Sequence, residues 1–137
     1  MNRIEHNYEL SPVLEEGIAQ LHAALVDFWA NTSVAPETQI RFSIALAEVV
    51  ANILQYAVVP GDAPIKLRLR CTPTGLEARL VDKGRSWTMP TTGFTMPADH
   101  EERGRGLAIA SAVLDTLQYR RFRDLNCWRL VLLHRAD

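Results

Sequence analysis

A long apolar stretch in the centre of the chain, residues 44–54 (IALAEVVANIL), limits what this sequence can fold into. Every position in it is apolar except Glu48 and Asn52. A helix that is apolar on nearly all sides is stable only where other elements cover it. A proline provides the start of this helix and a Pro-Gly-Asp sequence its stop. The chain is therefore expected to fold around one long buried helix at about residues 36–56.

The hydrophobic period changes along the rest of the chain in an order typical of an α+β domain. Ser11 followed by Pro12 is a typical helix start. Helical periods are predicted at residues 11–30, 36–56 and 106–117, and strand periods at 3–9, 65–71, 76–81, 119–123 and 127–134. This order predicts an α+β two-layer sandwich, with a mostly antiparallel mixed sheet covered on one face by about three long helices.

The segment between the central strands and the last helix, about residues 83–103, has no sustained period of either kind. A loop of this length inside a compact domain is usually a lid or a binding loop. No composition shift marks a domain boundary elsewhere, and 137 residues with 47% hydrophobic content suffice for one core. Residues 1–137 are therefore expected to form a single domain.

The charge balance excludes several classes of function. The chain has 15 Lys+Arg against 16 Asp+Glu and a net charge of −1, which argues against a general nucleic-acid binder. Its two cysteines form no CxxC pair, and no apolar stretch reaches the ~20 residues that a membrane span requires. The N-terminus is polar and interrupted by charges. We expect a cytoplasmic protein that binds neither membrane nor nucleic acid directly.

The two polar residues of the apolar helix are the first candidate site. Glu48 and Asn52 are four residues apart, so they project from the same helix face. A buried carboxylate needs a partner, a metal ion or a cleft that holds water. A Glu together with an Asn amide oxygen is suitable chemistry for Mg²⁺. The alternative is that the pair marks the one exposed stripe of the helix, with Arg41 and Gln55 nearby.

A second candidate lies where a hydrophobic strand ends in Asp82-Lys83-Gly84. Functional side chains collect where strands meet loops. The Asp82 carboxylate can accept a hydrogen bond from an exocyclic amine, and Gly84 lets a flat ring approach the backbone. The alternative is a simple turn, because Asp-x-Gly is common after strands.

A third candidate opens the last helix, in the sequence Glu101-Glu102-Arg103-Gly104-Arg105-Gly106-Leu107. Glycines at a helix start expose several backbone N–H groups that favour anions. The two neighbouring arginines add positive charge that can reach a phosphate. The pattern is neither a P-loop nor a dinucleotide fingerprint, since the lysine of the first and the third glycine of the second are missing.

The order E-x-x-x-N, D-x-G and G-x-G resembles the N, G1 and G2 boxes of the GHKL ATP-binding superfamily. Within that superfamily, residues 42–52 (FSIALAEVVAN) and 104–109 (GRGLAI) are similar to the anti-sigma factor serine/threonine kinases of bacterial partner-switching systems. The resemblance covers about residues 10–133. It implies the Bergerat fold of GHKL proteins, with ATP and Mg²⁺ as cofactors.

The resemblance also implies a role for each matching residue. Glu48 would be the general base and Asn52 a Mg²⁺ ligand, whereas Asp82 would bind the adenine amino group with Gly84 under the base. The residues implied for phosphate binding, beneath a lid at about 83–103, are Arg103, Gly104, Arg105, Gly106 and Leu107. Either arginine of that group can meet the γ-phosphate.

By the same resemblance the protein would be an ATP-dependent protein serine/threonine kinase. It would phosphorylate a STAS-domain anti-anti-sigma factor, bind a sigma factor or a similar regulator, and form a homodimer. One alternative is a non-catalytic nucleotide-binding switch module, and another is a nucleotide-free interaction domain. The G1 box commonly has a second glycine where this sequence has Ser86, which implies a stiffer lid hinge.

Four arginines in the closing strands form a further cluster: Arg120, Arg121, Arg123 and Arg129. They indicate either a solvated face of the sheet or a docking surface for an acidic protein partner.

Overall fold

The computed structural model of the chain describes residues 3–86 and 105–134. These residues form five strands and three helices. The strands are β1 Ile4–Leu10, β2 Ile65–Cys71, β3 Gly75–Asp82, β4 Thr116–Phe122 and β5 Leu125–Leu133, and the helices are α1 Leu14–Ala30, α2 Pro36–Tyr56 and α3 Arg105–Val113.

The strands form one sheet in the order β1-β2-β3-β5-β4, and every neighbouring pair is antiparallel. The α+β prediction is therefore confirmed, but the expected mixed character is wrong. Two helices between β1 and β2 carry the chain out and back, so β2 runs opposite to β1. The single helix α3 makes β3 and β4 run the same way, but β5 lies between them. No parallel pair results among the described strands.

The core lies between the helices and one face of the sheet. Strand β2 shows the expected alternation, because Ile65, Leu67 and Leu69 are buried while Lys66 between them is exposed. Helix α2 is the central helix and packs against both α1 and α3. Its buried residues are Phe42, Ala45, Leu46, Val49, Val50, Asn52, Ile53 and Leu54. The predicted bounds of this long helix are confirmed, but it is buried on one side only, because Ile40 and Ile44 are exposed.

The start of the first helix differs from the prediction. Helix α1 begins at Leu14, three residues after Ser11, and its N-cap Val13 has no side-chain cap. The Ser11 hydroxyl accepts a hydrogen bond from the Val13 N–H at 3.1 Å. Ser11 therefore closes a local turn before the helix, which is the common alternative for serine near a proline.

The third helix is shorter than predicted. Helix α3 ends at Val113, and Leu117 lies in β4 with its side chain packed against the core. The apolar residues at 113, 114 and 117 keep a helical spacing although the helix has ended, so the period alone could not find the boundary. None of the helices among the described residues is long and apolar enough to cross a bilayer.

The closing hairpin has a tighter turn than expected. Strands β4 and β5 pair from Phe122↔Leu125 onward, which leaves Arg123 and Asp124 as the turn. Arg123 has a φ of 57°, the left-handed conformation that two-residue hairpins require. Asn126, which falls between the predicted strands 119–123 and 127–134, therefore lies within β5.

Candidate functional site

Helix α2 carries the first two predicted site residues at its interior. Asn52 is 7% exposed and Glu48 is half-buried, whereas Arg41 and Gln55 are exposed. The exposed-stripe alternative is therefore wrong for Asn52. Within the part of the chain that the structure describes, neither the Glu48 nor the Asn52 side chain has a hydrogen bond or an ion pair. Both side chains keep their oxygen atoms available.

Gly106 brings the Glu48 carboxylate to the start of α3. A Cβ atom built on Gly106 would overlap Glu48 Oε2, so the missing side chain is what lets the carboxylate lie there. The first turn of a helix exposes backbone N–H groups with partial positive charge. The N-box and G2-box motifs thus meet at one place in the fold.

The other predicted phosphate-binding residues have mixed outcomes. Leu107 is 1% exposed and its side chain packs in the core, so only its backbone can face a ligand. Arg105 begins α3 and is half-buried. Arg103 and Gly104 lie outside the described residues, as does most of the predicted lid, including residues 87–103.

Asp82 occupies the last position of β3 and is 1% exposed. Its Oδ1 accepts hydrogen bonds from the Gly84 N–H and from Asn126 Nδ2, each at 2.8 Å. Its Oδ2 is buried and has no hydrogen-bond partner among residues 3–86 and 105–134. Because buried polar atoms are nearly always paired in native proteins, this acceptor indicates a ligand with a hydrogen-bond donor.

The electrostatics of Asp82 agree with this interpretation. Burial raises the pKa of the Asp82 carboxyl above its usual range, although the hydrogen bonds from Asn126 and Gly84 and the charge of Arg121 oppose the shift. A carboxylate that is expensive to ionise is expected to gain more from a donor than a solvated one does.

Gly84 is required by the backbone next to it. A Cβ on Gly84 would overlap the carbonyl group of Ala57, the C-cap residue of α2. The neighbouring Arg85 N–H donates to the same carbonyl at 2.9 Å. We predicted that Gly84 would let a flat ring approach the backbone. Among the described residues, the group that lies this close to Gly84 is the main chain of Ala57. The G1 motif is fixed against the end of α2.

Asn126 is a site residue that the sequence analysis missed. Its Nδ2 donates to Asp82 Oδ1 and to the Arg85 carbonyl at 2.9 Å. Its Oδ1 accepts from Tyr119 Oη at 2.5 Å and from Arg121 Nη1 at 3.1 Å. All four hydrogen-bonding positions of this amide are used, and the arginine, which can only donate, fixes the amide orientation.

Arg121 extends the same network to the base of the predicted lid, because its Nη1 also donates to the Gly84 carbonyl at 2.8 Å. A signal for Asn126 was present in the sequence. It is in phase with the apolar residues of β5 that face the core, Trp128, Leu130 and Leu132. A polar residue in a buried phase needs a specific partner, and here the partner is Asp82 on the neighbouring strand.

Three positions of the site, Glu48, Asn52 and Ala57, lie in this order along α2 and its C-cap. Ala57, which holds Gly84, is nine residues from Glu48, or roughly 14 Å along the helix axis, and Asn52 lies between them. One end of the site offers an acceptor for an amine, and the other a free carboxylate beside a helix N-terminus. This is the arrangement that an extended nucleotide requires.

The oxygen atoms of the site also suit Mg²⁺. Among the described residues there is no cluster of three or more His, Cys, Asp or Glu side chains. Mg²⁺ is usually held by one or two protein oxygens together with substrate phosphates. The unpaired Asn52 amide, next to the free Glu48 carboxylate, fits that donor set.

Comparison with known proteins supports the nucleotide site. A search of the curated proteins found no match to the chain. The family model of the histidine kinase-like ATPase domain matches residues 11–132, which include every described residue of the site. The chain belongs to the histidine kinase-like ATPase domain family of the GHKL superfamily.

Proposed function

We propose that the protein is an ATP- and Mg²⁺-dependent protein serine/threonine kinase of a bacterial partner-switching system. Its substrate would be a STAS-domain anti-anti-sigma factor, and its target a sigma factor or a similar regulator. The family match supports the use of ATP. The kinase specificity and the partners rest on the motif resemblance together with the geometry of Glu48.

The position of the Glu48 carboxylate carries the proposal. It has no ion pair or hydrogen bond within the described part of the chain, and it lies against Gly106 at the start of α3. A free carboxylate at the phosphate end of the site can accept the proton of a serine or threonine hydroxyl. The hydroxyl oxygen then bonds to the γ-phosphorus, the bond to the ADP oxygen breaks, and Glu48 holds the proton.

The remaining residues bind and orient the nucleotide. Asp82 Oδ2 accepts a hydrogen bond from the adenine amino group, and Asn126 and Gly84 hold the carboxylate in place through Oδ1. Asn52 is the protein ligand for Mg²⁺, which neutralises phosphate charge when bound. Phosphoryl transfer depends mainly on such positioning and charge neutralisation.

The expected setting follows from the same resemblance. The kinase would act in the cytoplasm as a homodimer, with a lid at about 83–103 over the phosphates and Arg103 or Arg105 at the γ-phosphate. Ser86, at the position of the second G1 glycine, is exposed. It lies next to Arg85, whose main chain is held at both its N–H and its carbonyl.

The test compares Glu48→Gln with the wild type, using γ-labelled ATP and a STAS-domain protein as the phosphate acceptor. Glutamine keeps the size of the side chain and removes the base, so we expect phosphate transfer to fall by about a hundredfold or more. Mg-ADP binding, measured by calorimetry, should change little. Transfer that survives in Glu48→Gln would exclude Glu48 as the base.

The same experiment separates the proposal from its alternatives. A wild type that binds Mg-ADP but transfers no phosphate indicates a non-catalytic switch module. If Mg-ADP does not bind, or binds equally well to Asp82→Asn and Asn52→Ala, the proposed nucleotide site is wrong. The exposed variant Glu37→Gln, at the other end of α2, is the matched control for loss of one negative charge.

A further inference from the structure

Three arginines form a row across the open face of the sheet, which the helices do not cover. Arg68 on β2 is directly opposite Arg79 on β3, and Arg79 is directly opposite Arg129 on β5. We call these three residues the arginine row. Like charges directly opposite each other destabilise a sheet. The row therefore opposes folding unless something of negative charge faces it.

The protein itself neutralises only part of this charge. Glu77 pairs with Arg129 at 2.7 Å, with Arg79 at 3.3 Å and with Arg70 at 3.5 Å. One carboxylate thus serves three guanidinium groups. Arg68 has no ion pair or hydrogen bond with any described residue. Its neighbour Arg70 also pairs with Glu5 at 3.0 Å, and Lys66 lies opposite Glu9. Arg68 is therefore the member of the row whose charge has no partner among the described residues.

The surface around the row is concave. A cavity of about 530 Å³ has Arg68, Arg79 and Val81 in its lining. A second cavity of about 520 Å³ is lined by Arg79, Val81 and Arg129, and also by the exposed ring of Phe122. Both cavities therefore include Arg79. Together they form a trough with a positive row, an apolar floor at Val81 and an aromatic rim.

We propose that the arginine row is a docking site for an acidic helical segment of a partner protein. Neighbouring strands are about 4.8 Å apart, so the three arginines are attached to the sheet at about this spacing. Residues three or four positions apart on a helix have Cβ atoms about 5–6 Å apart. A helix laid across the strands thus matches the row, whereas side chains on one face of a strand are about 6.8 Å apart and do not.

The charges of the face disfavour two other occupants. A second copy of the chain, placed face to face, would bring one arginine row against another. A single-stranded nucleic acid usually needs aromatic side chains on which bases stack, and Phe122 is the one exposed aromatic side chain on this face among the described residues.

The docking site is separate from the nucleotide site. Asp82 is buried on the helix side of β3, in phase with Leu80, whereas Arg79 and Val81 face the other way. The proposal therefore does not depend on the proposed kinase activity. Its failure would leave the nucleotide site intact, and loss of nucleotide binding would leave the arginine row in place.

The test measures binding of a fluorescein-labelled, alanine-based helical peptide that carries glutamates at every fourth position. Fluorescence anisotropy is recorded with the full chain at low and at high salt. We expect the wild type to bind, and Arg68→Glu to weaken binding by about tenfold, because the reversal replaces an attraction by a repulsion. Arg41→Glu makes the same charge change at an exposed position of α2 and should alter binding by less than about twofold.

Three outcomes would overturn the proposal. The first is binding of the same strength by a peptide with glutamine in place of each glutamate. The second is equal loss of binding in Arg68→Glu and Arg41→Glu, or no binding at all. The third is a result that assigns the face to another occupant. A change of oligomeric state in Arg68→Glu would assign it to a second copy of the chain. Binding of oligo-dT that is tighter than binding of the peptide, and that Arg68→Glu removes, would assign it to nucleic acid. The melting temperature of Arg68→Glu should equal or exceed that of the wild type, which excludes unfolding as the cause.

Discussion

At the scale of single residues, Asp82 Oδ2 is the atom most informative about function. It is a buried acceptor without a partner among the described residues. In Asp82→Asn the Oδ1 acceptor can be retained, while a donor replaces Oδ2 and faces the donor of the adenine amine. We expect Mg-ADP affinity to fall by about thirtyfold, which corresponds to about 2 kcal/mol. Calorimetry on the two proteins measures the loss, and equal affinities would contradict it.

The same residue predicts a pH dependence of stability. Burial raises the pKa of Asp82 in the folded chain above its reference value of 3.8. Between these two pKa values the folded state binds the proton more tightly, so rising pH removes stability from the ligand-free wild type. Asp82→Asn cannot titrate and keeps that stability. The free energy of unfolding of the variant relative to the wild type should therefore increase from pH 3.8 upward and level off above the folded pKa.

Urea unfolding at a series of pH values measures this difference, because all other titrating groups are shared by the two proteins. A difference that is constant with pH would show that burial does not affect the ionisation of Asp82. A difference that decreases with rising pH would reverse the sign, and would mean that donors around the carboxylate outweigh its burial.

Two glycines of the site predict opposite outcomes for the same substitution. In Gly84→Ala the new Cβ meets the rigid backbone of Ala57, and we expect a loss of about 2 kcal/mol of stability. In Gly106→Ala it meets the end of the Glu48 side chain, which can move. Alanine is also the better helix former by about 1 kcal/mol. Gly106→Ala should therefore fold as well as the wild type.

The functional effects of the two glycines should differ as well. If Glu48 is the base, its displacement by Gly106→Ala lowers the kcat of phosphate transfer more than it changes the KM for ATP. Thermal unfolding of both variants measures their stability, and steady-state kinetics measures kcat and the KM for ATP. A strongly destabilised Gly106→Ala, or a Gly84→Ala of unchanged stability, would contradict the packing described above.

At the scale of elements, Glu77 joins the central strands of the sheet. Burial alone would raise its pKa, but the hydrogen bonds from Arg129 and Arg79 outweigh burial and lower it. Glu77→Gln should therefore cost about 1–2 kcal/mol of stability at neutral pH. A group with a lowered folded pKa stabilises above its unfolded value, here 4.5, and loses that contribution as the pH falls through the folded pKa.

Unfolding of Glu77→Gln and wild type at neutral and at acidic pH measures this effect, and the two stabilities should converge in acid. Glu9→Gln is the control, because Glu9 is exposed on the edge strand β1, opposite Lys66. Its loss should stay within about 0.5 kcal/mol at every pH. A cost for Glu77→Gln that persists in acid would mean that packing, and not charge, is what Glu77 contributes.

Most elements of the fold could be predicted because their hydrophobic residues follow a single period. The alternation in β2 indicates a strand, and the apolar run of α2 is longer than a buried strand usually is, which indicates a helix. The end of α3 could not be predicted, since Leu117 keeps the helical spacing although it lies in β4. The strand directions depend on how many helices separate two strands and on which strand is inserted between others. A local period does not contain that information.

The candidate site could be predicted where a polar residue interrupts an apolar segment. Glu48 and Asn52 stand out in an apolar helix, and Asp82 stands out at the end of an apolar strand. Asn126 was missed because it is close to a turn, where asparagine is ordinary. Only the register of β3 with β5 places it opposite Asp82. Such cross-strand partners are invisible until the pairing of strands is known.

At the scale of the whole molecule, the sheet separates a surface that carries site carboxylates from a surface that carries a row of cations. The helix side contains the nucleotide site with Glu48 and Asp82, and the open side carries the arginine row of Arg68, Arg79 and Arg129. Two ligands influence each other only if each shifts an equilibrium that the other shares. The sheet between the two surfaces is one continuous hydrogen-bonded layer, and no second arrangement of it is needed to bind either ligand.

We therefore predict that nucleotide and acidic peptide bind independently. Saturating Mg-ADP should change the affinity for the glutamate peptide by less than about twofold, and the peptide should change Mg-ADP affinity by the same factor. At about a hundred times its Kd, each ligand should add about 2.7 kcal/mol to the free energy of unfolding, and the two contributions should sum. Anisotropy titrations with and without Mg-ADP, together with thermal unfolding under the same conditions, measure both quantities. A coupling of more than about fivefold, which is about 1 kcal/mol, would show that the sheet transmits a change between its faces and that docking is under nucleotide control.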